Sequence, residues 1–85
     1  MKFIAEIDVM PHRELLDPQG KTVANNMKHV DIMGVEDVRI GKHIRIVIAA
    51  DSEQAAHDKV KTACEKLLIN PIMETYSFNI KSADN

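Results

Sequence analysis

Residues 20–22 read GKT, the tripeptide that ends the phosphate-binding loop of many nucleotide-binding proteins. A complete loop of that kind has a glycine five residues before the Gly-Lys pair, and here that position is Leu15. Two intervening residues also oppose phosphate binding, since Asp17 would repel the anion and Pro18 has no N–H to donate to it. The tripeptide therefore does not predict a nucleotide site.

Cys64, the single cysteine, would be the natural nucleophile of an enzyme. His57 precedes it on the same predicted helix, but ~10.5 Å of helix separates them, too far for the hydrogen bond that activates a thiol. Cys64 also lies on the apolar stripe of that helix, so we expect a buried, structural thiol. The four histidines lie on different predicted elements without the spacing of metal ligands. Neither a catalytic residue nor a metal site is predicted.

Asp17 and Pro18 predict the beginning of a helix, because aspartate is a favoured N-cap and proline is favoured at the first helical position. Gly20 is then unexpected, since glycine in a helix costs up to about 1 kcal/mol relative to alanine. We expect Gln19 and Gly20 to form a surface that a partner's backbone approaches too closely for a side chain. Asp17, Gln19 and Gly20 are therefore predicted partner contacts.

Three basic residues, Arg39, Lys42 and Arg45, cluster around a predicted turn. Such a cluster could hold a substrate phosphate or a partner's carboxylate, whereas a solvated turn would carry the same residues. Both interpretations stay open from the sequence. Arg39 and Lys42 are added to the predicted partner contacts.

The composition limits the classes of protein to consider. The chain has 85 residues and a formal net charge of -2, with a pI of about 6.0. We expect one domain over residues 1–85, small enough that association would help to cover its apolar surface. Because acidic and basic residues are interspersed, no nucleic-acid or membrane partner is predicted. The lone cysteine, the absence of a signal-peptide pattern and the lack of ~18 consecutive apolar residues lead us to expect a soluble, cytoplasmic protein.

A strand and a helix are the first two predicted elements. From Lys2 to Met10, apolar residues alternate with polar ones, which is the period of a half-buried strand. The helix that Asp17 begins has apolar residues at helical spacing, and Gly34 is its expected end. The apolar residues that we expect to face the core are Val23, Met27 and Val30.

The stretch VEDVRIGKHIRIVIAA has apolar residues of one parity on both sides of its Gly-Lys pair. A hairpin with a three-residue loop at residues 41–43 would keep these apolar residues on one face. It would pair Ile40 with Ile44 and Val38 with Ile46. We predict this hairpin; one long strand bent at the glycine is the alternative that the sequence leaves open.

A second helix and a last strand complete the pattern. Asp51 is the predicted N-cap, with Gln54 three residues later as in a capping box. The apolar face of this helix comprises Ala56, Val60, Ala63, Cys64, Leu67 and Leu68. Asn70 and Pro71 end it, and the last strand has Ile72, Tyr76, Phe78 and Ile80 on one side. Residues 81–85 are expected to form a solvated tail.

The predicted order, βαββαβ, is the ferredoxin-like α+β arrangement, an antiparallel sheet with two helices on one face. The helix-free face of this sheet would expose apolar residues among charged ones, more than a fully solvated face carries. We therefore predict self-association through that face. Its interface candidates are Ile4, Val47 and Met73.

Three stretches, LDPQGKTV, VEDVRIGKHI and ACEKLLINPIMETYSF, together resemble the PurS family, the small subunits of multi-subunit phosphoribosylformylglycinamidine synthase. The resemblance extends from the first predicted strand to the last. DPQG before a helix, VRIGK at the end of a strand, and CEKLL followed by NP are specific in combination, although each would be weak alone.

The resemblance implies a non-catalytic subunit of purine biosynthesis that forms a dimer or tetramer. In that family a synthetase (PurL-type) subunit uses ATP and Mg to activate the amide of formylglycinamide ribonucleotide, and a glutaminase (PurQ-type) subunit releases ammonia from glutamine. The small subunit helps to join these two and needs no cofactor of its own.

The residues alone also favour a binding or assembly module over an enzyme, because no nucleophile, base and oxyanion hole come together. The alternative function is a stand-alone ferredoxin-like sensor that binds an amino acid or nucleotide between subunits.

Overall fold

Three strands and two helices form the molecule in the computed structural model, which describes residues 1–83. The elements are β1 (Lys2–Pro11), α1 (Pro18–Asn26), β2 (Lys42–Ala49), α2 (Glu53–Ala63) and β3 (Glu74–Ser82). A 3-10 helix, Met27–Val30, continues α1, and a π-helical turn, Cys64–Leu68, continues α2. The predicted ferredoxin-like α+β class is confirmed.

The sheet has the strand order β2-β1-β3, with both pairs antiparallel. In the register of the sheet, Ile7 of β1 lies opposite Ile44 of β2 and Phe78 of β3. Because side chains alternate between the two faces of a strand, residues of this parity share the face that α2 covers. The apolar residues whose alternation predicted β1 therefore form the inner layer of the core.

The predicted hairpin around residues 41–43 is wrong. No strand forms between α1 and β2, because residues 32–41 form neither helix nor strand nor turn. The alternative of one long bent strand is not realised either, because the ladder with β1 begins at Lys42. Gly41 passes so close to the carbonyl of Val9 and the sulfur of Met10 that a Cβ would collide with both. The chain thus enters β2 directly from an irregular segment.

Helix α2 covers the sheet. Ala56 and Val60 of the helix, and Cys64 at the start of the π-helical turn, are completely buried against the inner layer of β1. The N-cap is Ser52 rather than the predicted Asp51, since the Ser52 hydroxyl accepts a hydrogen bond from the N–H of Ala55 at 3.1 Å. The predicted apolar face extends too far, because the last turn changes to π-helical geometry and leaves Leu67 exposed.

Helix α1 does not bury the predicted apolar stripe. Val23 is only partly covered and Val30 is 64% exposed. The helix narrows to 3-10 geometry at Met27, and Asp31 then adopts a left-handed backbone conformation with φ of 62°. The predicted end at Gly34 lies beyond both elements.

The molecule is flat and elongated. Its extents are 50 × 31 × 14 Å and its radius of gyration is 16.7 Å, compared with about 12 Å for a compact chain of this length. The inner-face residues of β2, namely Ile44, Ile46 and Ile48, are consequently only half-buried.

Strand β3 begins later and ends later than predicted. Ile72 lies in the preceding turn and is 84% exposed, whereas Tyr76, Phe78 and Ile80 pack against the core. The first two residues of the expected tail, 81–82, belong to β3, and residues 84–85 lie outside the described part of the chain. None of the helices formed by residues 1–83 has the length and apolar character of a membrane span.

Candidate functional site

The Asp17 carboxylate joins the beginning of α1 to the segment that precedes β2. One oxygen accepts from the N–H of Gly20 at 3.0 Å, as the predicted N-cap requires, and the other accepts from the N–H of Ile40 at 2.7 Å. These two hydrogen bonds, followed by the nearby charge of Arg39, lower the pKa of Asp17. The predicted cap is confirmed, and its second role is to hold a distant segment.

Gly20 is buried at the point where α1 meets this segment. A Cβ at this position would collide with the carbonyl group of Val38 and approach the Asp17 carboxylate to 2.9 Å. The sequence correctly indicated a close backbone approach, but we expected the backbone of a partner. The structure places the chain's own segment there, so the helix needs a glycine for internal packing.

Arg39 is bound to the chain itself. Its guanidinium donates to the carbonyl of His12 at 2.7 Å and to the carbonyl of Leu15 at 3.0 Å. Lys42 lies 3.8 Å from Glu74, and Arg45 forms two hydrogen bonds with Glu6. The basic residues around the predicted turn therefore do not converge on one anion site.

Gln19 and Lys42 are the predicted contacts that remain exposed. They border a shallow depression of about 370 Å³ between the beginning of α1 and the beginning of β2. Its lining comprises Pro11, Leu16, Asp17, Pro18, Gln19, Ile40, Gly41, Lys42 and Glu74. Leu16, which the sequence reasoning missed, is 76% exposed at its edge. A rim of this kind, apolar with a few polar groups, suits contact with another polypeptide.

The residues considered for chemistry lie in structural positions. The GKT tripeptide forms part of the first turns of α1, where the Gly20 N–H donates to Asp17. Cys64 is completely buried, and burial, followed by the charge of Glu65, raises the pKa of its thiol. A thiol that stays protonated and inaccessible cannot attack a substrate. Within residues 1–83, no group of three histidine, cysteine or carboxylate side chains is arranged to hold a metal ion.

The helix-free face of the sheet carries two of the predicted apolar candidates, Ile4 and Val47, and a charged cluster, whereas Met73 lies in the turn before β3. Ile4 lies directly opposite Val47 across the β1–β2 pair. Val47 is 62% exposed and Met73 51% exposed, while Ile4 is half-buried. These residues are accessible, as the prediction requires, and their role in self-association stays a prediction.

Ion pairs occupy the middle of that face. His43 lies between two carboxylates, with Nδ1 2.7 Å from Asp8 and Nε2 2.9 Å from Glu6, and Glu6 also accepts from Arg45. These carboxylates, Glu6 first, raise the pKa of His43. Arg45, followed by His43, lowers the pKa of Glu6 to about 2. The sequence analysis missed this cluster because it placed His43 in a loop instead of a strand.

The family model described as PurS, phosphoribosylformylglycinamidine (FGAM) synthase, matches residues 4–82 of the chain. The PurS subunit of phosphoribosylformylglycinamidine synthase from Thermotoga maritima is 36% identical over 74 residues, which are 87% of this chain and 90% of that protein. The PurS subunit from Bacillus subtilis is 37% identical over 79 residues, 93% of each chain.

Solved structures agree with this match. PurS from Thermus thermophilus has a TM-score of 0.86 at 34% identity, covering 96% of this chain and 98% of the other. A chain in the structure of PurLQS from Thermotoga maritima has a TM-score of 0.87 at 32% identity, covering 95% of this chain and 99% of the other.

Proposed function

The chain belongs to the PurS family, and from this membership we propose that it is the small subunit of a phosphoribosylformylglycinamidine synthase in de novo purine biosynthesis. The observation that carries the proposal is the similarity, over nearly the full length of both chains, to a chain of the PurLQS structure. In this role the chain joins a PurL-type synthetase to a PurQ-type glutaminase in the cytoplasm. The synthetase would use ATP and Mg, and this chain would hold no cofactor.

The geometry of the chain suits such a joining role. Its one thiol is buried, and the charged residues in the middle of the helix-free face of its sheet are paired with one another. A thin molecule with an incompletely covered sheet offers much surface relative to its mass. Both properties fit a subunit that acts by contact with other proteins.

Reconstitution tests the proposed role. The synthetase and glutaminase from the same organism are assayed for conversion of formylglycinamide ribonucleotide with and without this chain. We expect glutamine to support the reaction only when the chain is present. Ammonium salt should support it in both cases, because free ammonia bypasses the glutaminase. An equal glutamine-dependent rate without the chain would contradict the proposal and favour the stand-alone sensor.

We further propose that one of these two subunits docks at the depression beside the N-terminus of α1. Leu16→Glu should reduce glutamine-dependent synthesis without lowering the thermal midpoint of the chain, because Leu16 is exposed and an acidic residue there disfavours apolar contact. Leu67→Glu, at an 80% exposed position on the turn after α2, is the matched control. Equal activity of the two variants would show that neither subunit docks at this depression.

A further inference from the structure

Residues 12–16 form the loop that connects β1 to α1, and the loop ends at Leu16 on the edge of the depression. Within the loop, the N–H of Leu15 donates to the carbonyl of His12 at 3.0 Å. The N–H of His12 donates to the carbonyl of Met73 at 2.9 Å, in the turn before β3. Ordering a backbone costs free energy at every residue, so the bonds from distant parts of the chain decide the shape of this loop.

Arg39 holds the loop from the other side. Two different nitrogens of its guanidinium are used, Nη2 toward the carbonyl of His12 at 2.7 Å and Nη1 toward the carbonyl of Leu15 at 3.0 Å. The planar guanidinium is a rigid fork that suits two acceptors at a fixed separation, whereas the ammonium of a lysine is a point charge on a flexible stem. Arg39 therefore fixes the carbonyl groups near both ends of the loop relative to each other.

The backbone on both sides of Arg39 is itself anchored to α1. The N–H of Ile40 donates to the Asp17 carboxylate at 2.7 Å, and the carbonyl of Val38 lies against the buried Gly20. The side chain of Arg39 is half-buried, and the Asp17 carboxylate is close enough to interact with its charge. The guanidinium is thus held in place before any other protein binds.

The position of Leu16 depends on the carbonyl that Arg39 holds. A peptide unit is planar, so the Leu15 carbonyl, the Leu16 N–H and the Leu16 Cα lie in one plane. Fixing the Leu15 carbonyl therefore fixes the direction in which the chain enters Leu16, whose side chain is 76% exposed. Because binding costs less when a contact residue is already ordered, a leucine held in this way is suited to contact with another protein.

We propose that Arg39 is a positioning residue for the docking of a partner subunit. It holds residues 12–16 in the conformation that presents Leu16, and it does not touch the partner itself. The inference rests on the proposed function, in which a synthetase or glutaminase subunit docks at the depression that Leu16 borders. The arginine that the sequence predicted as a direct contact thereby acts through another residue.

The competing role for Arg39 is a direct ion pair with a carboxylate of the partner. Both terminal nitrogens of the guanidinium already donate to carbonyl groups of the chain itself. A carboxylate of the partner would have to displace or share these bonds, and the side chain would have to leave its half-buried position. The geometry therefore favours the indirect role, and the two roles predict different results when Arg39 and Leu16 are substituted together.

Limited proteolysis tests the hold on the loop without either partner subunit. A glutamate-specific protease can cut after Glu14, which is exposed in the middle of the loop. Cleavage of a folded chain follows local opening, so Arg39→Ala should speed this cut by about tenfold, and Arg39→Lys by less. Arg45→Ala is the matched control, because it also removes two side-chain hydrogen bonds, but these go to Glu6. Its rate of cleavage after Glu14 should equal that of the wild type.

Titration of the chain into the reconstituted synthetase and glutaminase tests the effect on docking. Arg39→Ala should raise the concentration of chain that gives half of the maximal glutamine-dependent rate by about tenfold, because a loose loop must be ordered on binding. The maximal rate should not change, since the loop can still adopt the docking conformation. Arg39→Ala combined with Leu16→Ala should behave as Leu16→Ala does alone, because the arginine acts through that leucine.

Two results would overturn the inference. Effects of Arg39→Ala and Leu16→Ala that multiply in the double variant would show that Arg39 contacts the partner itself. Unchanged cleavage and an unchanged half-saturating concentration would show that the loop keeps its shape without Arg39. If Arg39→Ala does not fold, Arg39→Lys replaces it in both measurements, with smaller changes expected in the same directions. A wild-type chain that does not support glutamine-dependent synthesis contradicts the proposed function as well, whereas a working wild type with an unaffected Arg39 variant contradicts this inference alone.

Discussion

Gly20 illustrates how one absent side chain fixes the path of a distant segment. Helix propensity alone predicts that Gly20→Ala stabilises the chain by up to about 1 kcal/mol. The carbonyl of Val38 occupies the space that a Cβ needs. We therefore expect Gly20→Ala to lower the free energy of unfolding by about 1–3 kcal/mol, the usual cost of overpacking. Thermal denaturation followed by circular dichroism measures the change.

Lys21→Ala, at the exposed neighbouring position of the same helix, is the control and should leave the midpoint almost unchanged. A Gly20→Ala midpoint at or above that of the wild type would show that the segment can move away at little cost.

The sequence could predict part of this site. Asp17 was identifiable as an N-cap because capping depends on residues three positions apart. The same carboxylate's bond to Ile40, and the approach of Val38 to Gly20, join parts of the chain that are far apart in sequence. A glycine that breaks a helical pattern signals a close approach, but it does not identify which backbone approaches.

His43 gives the stability of the chain a pH dependence. Both of its ring nitrogens face carboxylates, so the doubly protonated imidazolium satisfies both contacts. Because Glu6 and Asp8 raise its pKa above 6.5 in the folded chain, the stabilisation is complete below about pH 6.5 and is lost as the pH rises through the folded-state pKa. The difference in thermal midpoint between wild type and His43→Gln should therefore shrink from about pH 6 to about pH 9.

His29→Gln, at an exposed position of the 3-10 helix, is the reference for this measurement. A difference between wild type and His43→Gln that stays constant over the same range would show that the imidazole contributes without being charged.

At the scale of an element, the N-cap of α2 can be tested by substitution of two adjacent residues, Ser52 and Asp51. Ser52→Ala should lower the free energy of unfolding by about 1 kcal/mol, because the hydroxyl satisfies the N–H of Ala55. That loss corresponds to a decrease of about 4–8 °C in thermal midpoint for a domain of this size. Asp51→Ala should change the midpoint little. A larger decrease in thermal midpoint for Asp51→Ala than for Ser52→Ala would show that Asp51 is the N-cap, as the sequence pattern predicted.

The elements that bury their apolar stripe within the chain were predictable, and the others were not. β1 and α2 follow their apolar patterns because each one buries its own stripe within the chain. The stripe of α1 stays largely exposed, and the matching parity around Gly41 gave a hairpin that does not form. A parity pattern shows which residues would share a face, but it does not show whether both segments form strands.

The shape of the whole molecule shows that its apolar core is incompletely covered. A radius of gyration of 16.7 Å is too large for a self-contained domain of this length, and the excess comes with an open sheet edge and half-buried isoleucines. Contact with another polypeptide would cover this surface. The helix-free face, which the sequence favoured for self-association, combines accessible apolar residues with ion pairs at its middle.

Two substitutions at Val47 test the helix-free face as an interface between copies. If this face were buried between copies, both Val47→Lys and Val47→Asp would place a charge in an apolar contact and dissociate the assembly. If Val47 stays at the surface, neither substitution should change the assembly.

We expect both variants to dissociate the assembly, because Val47 is 62% exposed in the single chain and lies opposite Ile4 on this face. Analytical ultracentrifugation at micromolar concentration measures both variants, first at low salt and then at about 0.5 M salt. The dissociation should persist at high salt, because salt screens exposed charges far more than buried ones. An assembly that both variants leave intact would show that Val47 does not lie in the interface.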